Sequence, residues 1–379
     1  VTEPIRRRPK TPFTLSPTST LGPFLSIGGI IAEDDQQVFL GGDITAQTTR
    51  VLESLGAKLR DLNAAMEDVV SVSVYLKRHD DFAAMNDVYR RAWPANAPCR
   101  TTIMAGLRHP DALIEITAAV VPRGVQRDVV HPPAWRPSPN PYSYAIRSGR
   151  TLFMSGLVPR SPLDGTLIPG DVRTQTAAIF ENAKELLKAA DMNLGDVINA
   201  KVFLTDTSQF EAMHSVYRTY FPIDPPACTA AVTQLMNPGF SVEMTLMAVR
   251  SKYRLTMPPG PEHGALQLSA FVQAEGRLFI SGMRGDTPDT RHNAGAQALE
   301  ALQRLTKLLK RARFTWRELR EIVVYVADIS HEPAVMYELA PFLPVFRRPS
   351  GVIVETGLLA PGALVEITGT FARDRWRWR

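Results

Sequence analysis

Cysteine is nearly missing from this chain: Cys99 and Cys228 are the only two in 379 residues. Two thiols build neither a disulfide framework nor a thiolate metal cluster, so a reducing compartment is expected, with no metal and no cofactor. Long apolar runs are missing as well. Nothing approaches the roughly 20 consecutive apolar residues of a membrane-spanning helix. The short apolar stretch at 24–32, interrupted by Ser26, Gly28 and Gly29, reads as a first strand rather than a signal-peptide core. A cytoplasmic protein without a membrane partner is therefore expected. A large excess of one charge is absent too: 43 basic residues face 38 acidic ones, for a net charge of +5. That mild excess can attract anions but lies far from the imbalance of a nucleic-acid protein, so on charge alone a small anionic metabolite, the expected partner, is as plausible as RNA.

What the chain does have is one pattern written three times. LRHPDALIEIT at 107–117, LMNPGFSVEMT at 235–245 and LLAPGALVEIT at 358–368 share Leu-x-x-Pro-[Asp/Gly]-x-x-[Ile/Val]-Glu-[Ile/Met]-Thr. Their glutamates, Glu115, Glu243 and Glu366, are 128 and 123 residues apart. That period is too long for a solenoid and suits a small domain. Pro98-Cys99-Arg100 precedes the first copy, and its arginine has no counterpart before the other two.

Each copy closes a module of the same order, β-α-β-α-β-β. After an arm at 1–20, module 1 spans 21–123, with strands expected at 37–42, 69–76, 101–107 and 113–121 and helices at 45–66 and 81–93. The proline-rich stretch 122–140 reads as a linker, because proline lacks a ladder donor and favours extended backbone. Linker and module 2 fill 124–250, a second linker and module 3 fill 251–373, and DRWRWR at 374–379 forms a tail.

In the last strand of module 1, alternation puts Ile114 and Ile116 on one face and Leu113, Glu115 and Thr117 on the other. Two helices cover one face of a sheet, so the glutamate faces need partners. Three modules can supply them to one another, which predicts an α+β fold closed as an intramolecular pseudo-trimer, with sheets inside and helices outside. Further association of such units is open.

The chain resembles the RidA (YjgF/YER057c/UK114) superfamily of reactive-intermediate deaminases. The likeness rests on LFMSG at 152–156 ahead of a long helix, KVFLTDTSQFEAMHSVYRTYF at 201–221, and Pro98-Cys99-Arg100 with LIEIT. It implies chorismate-mutase-like modules with small-molecule clefts between them. In such clefts an arginine grips the substrate carboxylate, while a Ser-Gly pair and a glutamate position and activate water. A tyrosine thirteen residues before the serine and an asparagine of the second helix line the pocket.

Carried over by position, module 1 holds Asn86, Arg100 and Glu115, with Cys99 beside the arginine, but Gly41-Gly42 in place of Ser-Gly and Phe24 near the tyrosine position. Module 2 holds Tyr142, Ser155, Gly156 and Glu243, with His214 for the asparagine and Cys228 for the arginine. Module 3 holds Ser281, Gly282 and Glu366, with Leu268, Tyr337 and Gly351 elsewhere.

The chemistry stands apart from the name. A guanidinium offers a carboxylate two parallel charge-assisted hydrogen bonds, which neither cysteine nor glycine can match. A glutamate buried on an inner strand loses solvation, and its pKa rises toward the range useful for proton transfer. The resemblance implies clefts that take the asparagine and arginine from one module and the tyrosine, Ser-Gly pair and glutamate from its neighbour, so one composite cleft is expected, with Asn86 and Arg100 facing Tyr142, Ser155, Gly156 and Glu243. In the opposite ring direction Arg100 would face Ser281, Gly282 and Glu366. The expected function is hydrolytic deamination of an enamine or imine of a small carboxylated metabolite, a specialised catabolic or secondary-metabolite step. A non-catalytic ligand-binding or interaction protein is the alternative, and RNA cleavage, supported only by the basic arm and tail, is the third. Structural readings compete for each residue: ion pairing for Arg100 and the glutamates, simple packing for Cys228 and His214.

Overall fold

The computed structural model describes residues 14–260, 268–344 and 346–373. Most of the N-terminal arm, part of the second linker and the whole Trp/Arg tail lie outside the described residues. Within them, no helix is long and apolar enough to cross a membrane.

Three αβ units follow one another. The first contains β1 (Thr18–Leu21), β2 (Phe24–Ile30), α1 (Ile44–Asp61), β3 (Val69–Leu76), α2 (Phe82–Ala92), β4 (Cys99–Met104) and β5 (Ile114–Val120). The second contains β6 (Asp128–Val130), β7 (Ala145–Ser148), β8 (Thr151–Met154), α3 (Val172–Ala189), β9 (Val197–Leu204), α4 (Phe210–Tyr220), β10 (Ala227–Val232) and β11 (Val242–Val249). The third contains β12 (Arg254–Met257), β13 (Phe271–Ala274), β14 (Arg277–Ile280), β15 (Met283–Arg284), α5 (Ala294–Ala312), β16 (Leu319–Val326), α6 (Glu332–Leu339), β17 (Ser350–Glu355), β18 (Gly357–Leu358) and β19 (Val365–Ala372).

The sheets run β1-β2-β5-β3-β4, β18-β10-β9-β11-β8-β7-β6 and β12-β13-β14-β19-β16-β17. In each, the glutamate-bearing strand (β5, β11, β19) lies antiparallel to the long central strand, whose other neighbour is parallel to it. Strand β18 of the third unit pairs with β10 of the second, so the modules share a sheet edge.

The first helix of each unit starts at a side-chain cap. Asp43, Asp171 and Asn293 accept the backbone N–H groups of Ala46, Thr174 and Ala296 at 2.8, 2.9 and 2.9 Å. Such caps satisfy donors that the first turn leaves open. Ile44, Val51, Leu55 and Leu59 then face a core with Ile114 and Ile116. Leu113, expected on the glutamate face, also packs against this core, since it precedes the strand proper.

The opposite faces meet in a cluster built from all three units: Tyr75 and Ile103, Phe203 and Ala231, Tyr325 and Val352. The glutamate faces thus find their partners in one another.

Two expectations need correction. Residues 37–42 form no sheet strand. Asp34 Oδ1 accepts from the N–H groups of Gln36 and Val38, both at 2.9 Å, and folds the chain back so that only a Glu33–Phe39 bridge remains. The proline-rich linkers are also structured in part, because β6 and β12 each add an edge strand to the sheet that follows.

Candidate active site at the seam of modules 1 and 2

The seam between β4 and the end of β8 is stitched through main chain. The Arg100 N–H donates to Ser155 Oγ at 2.8 Å, the Gly156 N–H donates to the Arg100 carbonyl at 3.0 Å, and Ser155 Oγ donates to the Ser143 carbonyl at 2.7 Å. Both Ser155 and the Gly156 N–H are therefore committed to holding Arg100. The Ser-Gly pair to which the resemblance assigns the positioning of water thus has its hydroxyl and its Gly156 N–H already engaged.

Beyond this seam lies a cavity of about 190 Å³ whose lining includes Arg100, Tyr142, Gly156 and Glu243. Arg100 is only 4% exposed, yet its Nη1 has no hydrogen-bond partner. Rings surround the guanidinium instead: its carbon is 4.8 Å from the centroid of Tyr89, 5.7 Å from Tyr142 and 5.8 Å from Phe82. Burial lowers its pKa, while Tyr89, Tyr142 and Glu243 oppose the shift.

Glu243 reaches the cavity because residue 156 has no side chain. A Cβ there would lie 1.8 Å from Glu243 Oε1. Burial pushes the Glu243 carboxyl up to about 8, against the pull of Arg100. Gly29 and Gly282 make the same room for Glu115 and Glu366, at 1.8 and 1.7 Å, and burial pushes each of those carboxyls up to about 7. The module 1 counterpart of Ser155-Gly156 is therefore Gly28-Gly29. Gly41 and Gly42 lie exposed on the approach to α1. The residue thirteen before Gly28 is Leu15, not Phe24. Phe24 packs edge-on to Phe153, 5.0 Å between centroids, where Arg277 also lies over its ring.

The other expected residues divide. Tyr142 lines the cavity. Buried Asn86 contacts it indirectly, its Nδ2 donating across the seam to Asn140 Oδ1 at 3.5 Å. Cys99 does not reach it: alternation turns the thiol to the other face of β4, where it donates to the Phe153 carbonyl at 3.2 Å. Glu115 sits in module 1 beside Gly29, away from Arg100. His214 is buried and stacks on Phe210, 5.4 Å between centroids.

The second cleft does not contain Arg100. Cys228 takes the arginine's place there: its N–H donates to Ser281 Oγ at 2.8 Å and its carbonyl accepts from Gly282 at 3.1 Å. Burial, helped by Glu366, pushes its thiol up to about 12. At the third seam Gly351 faces Gly28, whose added Cβ would meet the Gly351 N at 3.0 Å. Residue 351 itself, being glycine, offers no side chain as an anchor there. Among the described residues, no three His, Cys, Asp or Glu side chains are placed to hold a metal ion.

The cavity lining also contains residues that the sequence did not single out: Trp135 and Asn140 from the supposed linker, Tyr144, Arg160 and Phe240. The aromatic content of 135–144 was a usable signal inside the proline-rich stretch.

A profile of the family described as endoribonuclease L-PSP matches residues 6–121, 134–250 and 263–372. The chain belongs to this family, the RidA superfamily, as three tandem modules. A RutC family protein of Sulfurisphaera tokodaii is 44% identical over 96 residues, 25% of this chain and 77% of that protein. A 2-iminobutanoate/2-iminopropanoate deaminase of Mus musculus is 34% identical over 113 residues, 30% of this chain and 84% of that protein. A chorismatase crystal structure overlays on 81% of this chain and 93% of its own, with a TM-score of 0.54 and 17% identity, which is a likeness of fold alone. Each curated relative thus corresponds to one RidA module of this chain.

Proposed function

We propose that the cleft between modules 1 and 2 hydrolyses the imine of a small carboxylic acid to the 2-oxo acid and ammonia, in a chain that acts as a covalent pseudo-trimer with one working cleft. The observation that carries this reading is the buried Arg100 guanidinium, with Nη1 unpartnered, lining the same cavity as Glu243. A buried cation without a carboxylate partner is costly unless a ligand supplies one. The named deaminase relatives lend support at the level of the family.

Arg100 grips the substrate carboxylate as a fork. With its pKa near 8, Glu243 carries a proton at neutral pH. It gives that proton to the imine nitrogen. The carboxylate left behind takes a proton from the attacking water, whose oxygen bonds to carbon and forms a carbinolamine. Glu243 then passes this proton to the amino nitrogen and recovers the hydroxyl proton as the C–N bond breaks. Water is consumed and ammonia leaves. Ser155 and Gly156 act by holding Arg100 and by leaving room for Glu243, while Tyr142 and the Asn86–Asn140 pair shape the walls. The substrate class is small and anionic, and nucleic acid has no part in the scheme.

Ammonia release from imines generated in situ by an L-amino-acid oxidase tests this. Glu243→Gln should slow release by about 10²-fold or more, the usual scale of acid–base catalysis. Unchanged release in that variant and in Arg100→Ala would remove the cleft from the reaction.

A further inference from the structure

Besides Arg100, the cleft holds a second arginine that the hydrolytic scheme does not use. Arg160 lines the same cavity, half-buried, with its guanidinium carbon 5.2 Å above the centroid of Phe240. Its backbone carbonyl accepts from Asn182 Nδ2 at 2.9 Å, and its Nη1 donates to the Gly165 carbonyl at 2.6 Å. The head group is thus held in place, and among the described residues no carboxylate pairs with it. A pinned, unpaired guanidinium facing a cavity is a pre-organised anion site.

The rest of the wall is aromatic. Tyr144 stands edge-on to Trp135 and to Tyr142, with centroids 5.0 and 5.8 Å apart. Arg100 lies 5.7 Å from the centroid of Tyr142, and Arg160 lines the same cavity as that ring. A cavity of about 190 Å³ is far larger than a three-carbon imino acid needs, since one water takes about 10 to 15 Å³ on the same measure.

Among the described residues these features occur together at this seam. Four residues beyond the glycine that admits the glutamate, module 2 has Arg160 where modules 1 and 3 have Glu33 and Asp286. Three residues before the glutamate, module 2 has Phe240 where the others have Ala112 and Ala363. Thirteen before the Ser-Gly position it has Tyr142 where they have Leu15 and Leu268. The cation, its aromatic platform and the tyrosine wall accompany the one module seam that holds Arg100.

We infer that the substrate of this cleft is an aryl imino acid bearing a second carboxylate: Arg100 takes the carboxylate next to the imine carbon, the rings hold the aryl group, and Arg160 takes the distal carboxylate. This assignment rests on the hydrolytic reading for its chemistry but not for its ligand class, so the two can fail separately.

The test uses the full chain and compounds derived from alanine, phenylalanine and 4-carboxyphenylalanine. Imines made from each by an L-amino-acid oxidase report turnover, and the corresponding 2-oxo acids report binding by calorimetry. Turnover and binding should rise in that order. The carboxyphenyl over phenyl ratio should be about tenfold or more, the scale of one charge-assisted contact, and should fall toward one in Arg160→Gln. Equal handling of the alanine and aryl compounds, or a ratio untouched by Arg160→Gln, overturns the assignment and leaves the hydrolysis standing. Oxo acids that bind in the expected order while no imine turns over support the ligand class and remove the hydrolysis.

Discussion

Glu243 Oε1 occupies space that a side chain at Gly156 would need, 1.8 Å from where its Cβ would stand. The glycine and the glutamate come from different strands, β8's extension and β11, and their contact decides whether the carboxyl reaches the cavity. Gly156→Ala should push the carboxyl off its position and lower kcat by about 10²-fold, comparable with losing an acid–base group. Gly282→Ala makes the same clash with Glu366, at 1.7 Å, in a cleft where Cys228 replaces the arginine. Imine turnover should survive that change. Equal loss in both variants would mean that the glycines matter for folding rather than for the carboxyl.

Arg100→Lys separates a fork from a charge. The guanidinium is fixed by rings on its faces and by main-chain bonds at its root. Lysine keeps the charge but cannot form two parallel bonds, so kcat/KM for a carboxylated imine should fall by at least tenfold, about 1.4 kcal/mol or more. An imine whose carboxylate is replaced by an amide should show little difference between the two enzymes. Full activity in the lysine variant would show that bidentate gripping is not required.

The repeat, the three modules and the shared glutamate positions were legible in the sequence because each rests on local periodicity: alternation in LIEIT, helical spacing of Val51, Leu55 and Leu59. That Arg100 and Glu243 line one cavity was among the two arrangements the sequence offered, since losses in the modules were complementary. What escaped was long-range. Nothing local distinguishes Gly28-Gly29 from Gly41-Gly42; the choice is made by which glycine lies against Glu115. Trp135 and Asn140 were hidden by the proline-rich composition around them. Arg160 looked like any loop arginine until Phe240, 80 residues away, was found beneath it.

The three inner glutamates make stability depend on pH in a defined direction. Burial raises Glu115, Glu243 and Glu366 from 4.5 to about 7, 8 and 7. Between these limits the folded chain holds protons that the unfolded chain has released. Their contribution is therefore complete below about pH 4.5 and is lost as pH rises through 7 to 8, by up to ~1.4 kcal/mol per pH unit for each residue. Urea midpoints measured from pH 5 to 8 should drop, and Glu366→Gln should flatten the slope. A slope that is the same with and without Glu366 would place its carboxyl in water. For catalysis, kcat/KM should decline above about pH 8 as free Glu243 loses the proton it must donate.

A glutamine repeated in all three modules fixes the strand that carries each glutamate. Gln47, Gln175 and Gln297, each in the first turn of the long helix, accept the N–H groups of Leu113, Ser241 and Leu364 at 2.9, 2.7 and 2.7 Å. Their amide nitrogens donate to the carbonyls of Asp111, Gly239 and Gly362 at 3.1, 2.8 and 2.9 Å. All three glutamines are buried. Removing one strands a strand-entry N–H and carbonyl, at a cost of about 1 to 3 kcal/mol. Gln175 holds Ser241, one residue before the start of the strand carrying Glu243, so Gln175→Ala should lower both the urea midpoint and imine turnover. Gln297→Ala should lower the midpoint similarly while sparing turnover, because Glu366 faces a cleft without the arginine. Equal effects of the two variants on turnover would mean that the clamp supports the whole molecule rather than the individual glutamates.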